Sequence, residues 1–372
     1  MSEARVNNLS NESNSGGPTI SGITTFSSPY FFIPPVGNTA ERPDNPEKGS
    51  IRFNTDSKHL EYFKGDTLGW VEVEASNEEM NGGYRGFACG GGTPTENDTI
   101  DYITISTLGN AIDFGNLFSG RYGMSSCASR TRALNWGGYG SNNDTIDYFT
   151  MSSLGNSVDF GNSAVNHKYG AALSNQTRGC CGGSYYPAQV NTITYVTIAS
   201  TGDSKDFGDM TIIRGITGAT QASNATRGIF AGGHSAPVTP STNVIDYITI
   251  ASKGDAADFG DLLSGNQNIP PAFNGVRAVF GGGYSNVLQY ITTATTGNAV
   301  DFGDLTYRPG HPMPVSGQTR GVWMAGKQSP EGVTNIMEYI EIMTLGNSKD
   351  FGDATVARNA GGSTSNGHGG LG

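Results

Sequence analysis

Four residue types in this sequence could do chemistry, and their spacing decides which chemistry that would be. The tripeptide Asp-Phe-Gly occurs six times, with its aspartate at Asp113, Asp159, Asp206, Asp258, Asp301 and Asp350. In protein kinases such an aspartate holds magnesium, but a catalytic loop precedes it there and none occurs here. A carboxylate repeated at one place is expected to be structural, accepting backbone N–H groups at a turn while its Phe packs between repeats. Calcium ligation is the weaker alternative, and no metal or other cofactor is expected. An arginine also recurs once per repeat, at Arg85, Arg132, Arg178, Arg227, Arg277 and Arg320. It is expected to pair with an aspartate or a buried carbonyl. The five histidines, His59, His167, His234, His311 and His368, are scattered, and His234 and His368, each after a glycine, read as loop residues. Cys89, Cys127, Cys180 and Cys181 have no CxxC partner and no histidine at metal-ligand spacing, so they read as reduced fillers. Cys180 and Cys181, adjacent in a strand, should point to opposite faces. No GxSxG, HExxH or phosphate-binding loop is present, which leaves an acidic pair for sugar hydrolysis as the enzymatic alternative.

The elements that position these residues are repeating strands. The Asp-Phe-Gly copies are spaced by 46, 47, 52, 43 and 49 residues. Ahead of each lies an alternating segment with a tyrosine at a fixed place: Tyr102, Tyr148, Tyr195, Tyr247, Tyr290 and Tyr339. Ahead of that comes an arginine-led run ending in glycine, such as RGFACGGG, RGCCGG and RGIFAGG. Period-two alternation of Ile, Val, Thr, Tyr and Phe between clusters of Gly, Asn and Ser specifies strands. A repeat of about 40–50 residues holding four short strands is the size of one propeller blade. Composition agrees, with 55 glycines and only 15% charged residues among 372. The net charge of −11 argues against a nucleic-acid partner, which needs a basic face. Met1–Gly17 carries no apolar signal core, and no stretch is apolar over the roughly 18 residues that a membrane helix needs.

The order of glycine run, tyrosine strand, aromatic segment and arginine-led strand resembles the Kelch family of β-propellers, over about three quarters of the chain. Phe of the Asp-Phe-Gly stands where Kelch repeats usually carry Trp, and the Gly-Asn or Gly-Asp kept ahead of it is a further departure. The resemblance implies an all-β fold in which residues 84–372 form a six-bladed Kelch-like β-propeller. The first recognisable piece is the second strand of a blade, so residues near 356–366 should supply its missing strand beside 85–90 and close the domain. Copper oxidases on such a scaffold need a His, Tyr and modified Cys set that is not assembled here. The segments between the glycine run and the tyrosine strand vary most: 93–98, 139–144, 184–191, 234–243, 284–286 and 327–335. In a repeat they share one face, where recognition usually sits. Tyr139, Tyr185, Tyr186, His234 and Tyr284 are the expected ligand contacts; the alternative is that they only cover the surface.

The N-terminal quarter differs. Residues 1–36 read as an extended arm, and 76–83, with Asn-Gly-Gly, as a linker. Between them, 37–75 holds three strand candidates, Ser50–Asn54, His59–Phe63 and Trp70–Glu74. Three strands of five residues cannot bury a core, so this module should oligomerise or lean on a neighbour. Its run of Thr39, Ala40, Arg42, Pro43, Pro46, Gly49, Ile51, Arg52, Phe53, Asn54, Thr55 and Asp56 resembles a small β module of tailed-phage fibres and other virion appendages. Leu60, Glu61, Tyr62, Trp70 and Val71 continue that resemblance. It implies a virion structural protein assembled in the host cytoplasm, a homotrimer attached to other virion proteins through residues 1–75 and displaying its propeller to a host-surface glycan. A purely architectural component, such as a capsid decoration, nozzle or adaptor, is the first alternative. A carbohydrate-active enzyme is the second.

Overall fold

The computed structural model describes residues 34–73, 84–93, 95–140, 143–215, 220–235 and 240–371. The chain divides into two compact units between Asn77 and Glu78. Most of the expected arm and all of the linker lie outside the described residues. The protein is all-β, with seven four-stranded sheets and only two short 3-10 turns besides, among the described residues.

In the smaller unit Ile51–Asn54, His59–Phe63 and Trp70–Val73 pair antiparallel, and a two-residue strand, Val36–Gly37, joins parallel to the first. That fourth strand was expected in the arm. Backbone bonds from Phe53 N–H to the Pro35 carbonyl (2.8 Å) and from Thr55 N–H to that of Gly37 (2.9 Å) draw it into the sheet. One face of the sheet is covered: Arg52, Asn54 and Glu61 are buried on it beside Phe63. Arg42 grips Glu61 through Nε and Nη2 (3.2 and 2.5 Å), Asn54 Nδ2 donates to the same carboxylate (3.2 Å), and Arg52 Nη2 donates to the Asn38 carbonyl (2.9 Å). Hydrogen bonding by Arg42 holds the Glu61 carboxyl below its usual range. The opposite face carries Val36, Ile51, Phe53, Leu60, Tyr62, Val71 and Val73 by register, with Val36 and Ile51 more than half exposed.

The larger unit holds six sheets, each with its four strands in simple antiparallel order. The first strands are Gly362–Ser365, Ser125–Ala128, Ala171–Ser174, Ala222–Ser223, Pro271–Phe273 and Met313–Ser316, in sheets one to six. The sheet-one strand comes from the far end of the chain and pairs with Arg85–Thr93, Gly362 opposite Cys89 and Ser365 opposite Gly86. All six first strands are buried, and four of them, in sheets one to four, are rich in Ala, Ser and Gly. Each touches the next in an unbroken cycle, sheet six to sheet one and one to two included. Such small side chains allow backbones to approach, and Ser174, Ser223 and Ser363 donate from Oγ to carbonyls of the neighbouring first strand (2.7–2.8 Å).

The Asp-Phe-Gly repeat is where neighbouring sheets are hooked together. Its Phe is the extra residue of a β-bulge on the fourth strand and is at most 3% exposed in every copy. Its Gly has φ between +146° and +151°, and a Cβ there would collide with the turn backbone of the next sheet. That turn carries the conserved-in-repeat Gly-Asn or Gly-Asp. In sheet three, Gly202 N–H donates to the Phe160 carbonyl (2.8 Å), Ser204 N–H to that of Asn162 (2.9 Å), and Asn162 N–H to Asp203 Oδ1 (2.8 Å). The same three bonds occur at all six junctions, the last joining Asp353 to Asn110. The expectation for the repeated aspartates is corrected here. All six are exposed and, among the described residues, their side chains accept no hydrogen bond; the turn acceptor is the Asn or Asp that precedes them.

The repeated arginines lie beside their own tyrosine, 4.2–5.1 Å from guanidinium carbon to ring centre, and reach across to the next sheet. Arg132 Nη1 donates to the Ile198 carbonyl (2.9 Å), and Arg320 Nη1 returns to that of Ile105 (3.2 Å). Of the two expected partners, the carbonyl is the recurrent one. The four cysteines are free and buried, with Cys180 and Cys181 in different core clusters.

Residues after the closing strand turn into the middle of the first strands. Leu371 accepts from Arg130 Nη2 (2.7 Å) and Gln176 Nε2 (2.8 Å), and Gly367 from Gln318 Nε2 (3.3 Å). His368 lies in a bend, as expected of a loop residue, but it is buried (3% exposed), against the Phe273 ring (5.3 Å) and the Ala128 carbonyl (3.0 Å). A Cβ on the flanking glycines would collide with the Tyr84 ring at Gly367 and with the backbone of Asn274 and Gly275 at Gly369.

Candidate binding face

The residue before each repeated tyrosine ties the incoming connector to the sheet it enters. In sheets one, two and four it is Asp101, Asp147 or Asp246, fully buried and paired with Arg358 (3.0 Å), Arg121 (2.8 Å) or Arg214 (2.8 Å). In sheet three Thr194 donates to His167 Nε2 (2.8 Å), while His167 Nδ1 donates to the Gly183 carbonyl (2.6 Å). In sheet five Gln289 Oε1 accepts from Leu263 N–H (2.7 Å), and in sheet six Glu338 accepts from Thr306. Sequence reasoning missed this layer. Its signal was the Asp preceding the tyrosine in TIDY, TIDY and VIDY, with an arginine about 25–32 residues upstream in two of those three.

These buried anchors fix the residues beside them on one face. Arg121 precedes Tyr122, His167 precedes Lys168 and Tyr169, and Arg358 precedes Asn359 and Ala360. Tyr169, Ala360 and His311 hold left-handed φ of +51° to +55°, and Gly123 of +65°, at matching connector positions. Their backbones pass hydrogen bonds in series: Tyr169 N–H to Gly123, Gly123 N–H to Ala360 and Ala360 N–H to His311 (2.7, 2.6 and 3.1 Å). A non-glycine residue in that conformation costs about 1–3 kcal/mol, and such strain gathers at functional sites.

All five expected contacts belong to one aromatic cluster above this backbone. Tyr139 stacks on Tyr122 (5.2 Å, 10° between planes) and lies 5.9 Å from Tyr186. Tyr169 links Tyr139, Tyr185 and His311 at 5.5, 6.3 and 5.8 Å. His234 meets Tyr185 edge-on (5.1 Å) and contacts Gln189 Nε2 (2.6 Å), and Tyr284 meets His311 edge-on (6.3 Å). The Lys168 ammonium lies over Tyr139 and Tyr186 (4.8 and 5.1 Å). Tyr185, Tyr186 and Tyr284 are each more than 40% exposed. Burial and neighbouring phenols push the Tyr139 and Tyr169 hydroxyls up, so both stay protonated donors at neutral pH. Burial, aided by Lys327, holds His311 neutral with a pKa lowered to about 4.

Beside the cluster opens a cleft of about 710 Å³. Its floor is Tyr122, Tyr169, Asn359 and Ala360; Gly92, Thr95 and Glu96 line one side and Lys327, Gly332 and Val333 the other. The two walls correct the sequence expectation, which placed loops at 93–98 and 327–335. There the second and third strands run on, pairing Gly92 with Glu96 in sheet one and Lys327 with Val333 in sheet six. Sheets one and six therefore carry longer hairpins than the other four. Glu96 and Lys327 are the charged residues lining the cleft among the described residues. No group of three or more His, Cys, Asp or Glu is placed to hold a metal among them either. No helix is long and apolar enough to cross a membrane among the described residues.

No family model matches the chain, and no curated protein matches it.

Proposed function

We propose that the larger unit is a six-bladed, Kelch-like propeller and that the protein binds a host-surface glycan from the particle of a tailed phage. Six sheets whose first strands touch in a cycle, with the same hook at every junction, support the propeller reading. The observation that carries the binding reading is the convergence of Tyr122, Tyr139, Tyr169, Tyr185, Tyr186 and Tyr284 on one partly exposed face beside a cleft. Ring faces pack on sugar C–H surfaces, and phenol hydroxyls, Asn and Thr serve sugar hydroxyls. Hydrolysis of a glycoside needs two carboxylates, whereas Glu96 is the single one among the described lining residues, which supports binding over catalysis. The fibre-module motif of the smaller unit supports particle attachment, with Arg42, Arg52 and Asn54 of that motif joined around the buried Glu61 carboxylate.

One observation favours the architectural reading. The turns of sheets six, one and two carry exposed Leu345, Leu108 and Leu154 where the other sheets have Thr201, Lys253 and Thr296. That apolar half of the rim suits contact with another particle protein. A reconstruction of the particle that carries this chain decides between the two. The binding reading expects the tyrosine face toward solvent; a tyrosine face packed against another particle protein would sink it.

A further inference from the structure

We infer that the cleft between the sheet-one and sheet-six hairpins is the primary ligand subsite, and that it takes an uncharged saccharide of two or three pyranose units. The inference rests on the glycan-binding reading above and assigns to it a place and a chemical class. The neighbouring tyrosines alone would make a flat patch. The cleft adds depth, and its volume lies within the range of pockets that enclose a drug-sized ligand.

The floor is constrained backbone. Tyr169 and Ala360 are held in left-handed conformation and share the series of hydrogen bonds through Gly123. Arg121, His167 and Arg358, all buried, hold the connectors from below. A floor fixed before the ligand arrives loses little entropy on binding. It offers the flanks of two tyrosines for stacking, with the Asn359 amide and Thr95 hydroxyl as neutral hydrogen-bond partners.

The charges select the class. Glu96 lines one wall and Lys327 the other, one of each sign. A sialylated or uronate-bearing chain would want cations in excess, and Glu96 opposes it. A polynucleotide would want a continuous basic groove, which an acidic chain of net charge −11 does not supply. An extended peptide would want an open strand edge beside the floor, but there Gly92 is already bridged to Asn359 and Lys327 to Gly310. Hydroxyls and C–H faces without net charge fit what remains.

The test is binding of the full-length protein to an immobilised panel of neutral oligosaccharides built from glucose, galactose, mannose and N-acetylglucosamine, beside sialylated and uronate-containing ones. Val333→Trp, at an exposed hairpin position, fills the cleft without touching the floor, and Tyr186→Ala removes part of the cluster outside it. The expected result is retention of a neutral oligosaccharide, little changed between 50 and 500 mM salt, reduced at least tenfold by Val333→Trp and only a few-fold by Tyr186→Ala. Retention confined to acidic chains and lost at high salt would overturn the class. Retention indifferent to Val333→Trp but lost in Tyr186→Ala would overturn the place while leaving the glycan-binding reading intact. Retention of no member of the panel would overturn both.

Discussion

At the scale of single residues, the larger unit spends its buried polar groups on positioning. His167 is neutral, its Nδ1 donating to a carbonyl and its Nε2 accepting from Thr194. His368 is neutral with the opposite tautomer, since Nδ1 accepts from Gly370 N–H (3.2 Å) and Nε2 faces the Ala128 carbonyl. Burial lowers both pKa values from 6.5 to about 4. Above pH 6.5 neither state takes a proton and their contribution is intact. Between 6.5 and 4 the unfolded chain binds protons that the folded one refuses, so stability falls as pH falls. Each histidine should remove up to about 1.4 kcal/mol per pH unit across that window. Melting temperatures from pH 7 to 4.5 should show it, and His167→Gln should flatten the slope; equal slopes in protein and variant would refute the assignment. In the smaller unit, Glu61→Ala leaves Arg42 and Arg52 without their carboxylate and should cost about 3–5 kcal/mol. Hydrogen exchange across residues 51–63 reads that loss directly. The motif containing Arg42, Arg52, Asn54 and Glu61 was legible as a motif, but not as a buried ionic network, because strand alternation alone would assign apolar residues to the covered face.

At the scale of the element, the hook is the unit of cohesion. Its parts were visible in the sequence as Gly-Asn or Gly-Asp followed by Asp-Phe-Gly, yet their pairing was not. The partners belong to successive repeats, 40 residues apart for Asn116 and Asn156, and local reading assigned the hydrogen bonds to the wrong carboxylate. Gly260→Ala places a methyl 2.5 Å from the Gly297 carbonyl oxygen at a φ of +146°. The expected loss exceeds about 3 kcal/mol, while Asp258→Ala, at the exposed repeat position, should stay within about 0.5 kcal/mol. Urea midpoints of the two variants test the contrast, and similar midpoints would reverse the roles given to them. The strands themselves and the closing strand were legible because six copies of one pattern average out local ambiguity. The longer hairpins of sheets one and six were not, since Pro94 and Pro330 and their polar neighbours read as loops. Removing the last 16 residues takes away the closing strand and the residues packed among the first strands. A broad destabilisation of the whole unit is expected, and a calorimetric trace unchanged by the deletion would contradict it.

At the scale of the molecule, the smaller unit places seven apolar side chains on one sheet face, with Val36, Ile51 and Val73 exposed among the described residues. A face of that composition is unusual on a solitary unit and predicts self-association. Sedimentation of the full chain should show an oligomer, a trimer by the fibre resemblance, and Ile51→Lys with Val73→Lys should return a single chain. A monomeric native protein at micromolar concentration would remove that expectation. The closing pair has a different consequence. Arg85 N–H donates to Asn366 Oδ1 across 281 residues of sequence, and sheet one lacks its innermost strand until that partner exists. On a translating ribosome, five sheets can assemble one after another as they emerge. The strand Arg85–Thr93 meanwhile waits with a bare edge, open to pairing with a neighbouring nascent chain. Crowded synthesis is therefore a stage at which this protein is exposed to misassembly, and the arrival of Gly362–Ser365 is what ends the hazard.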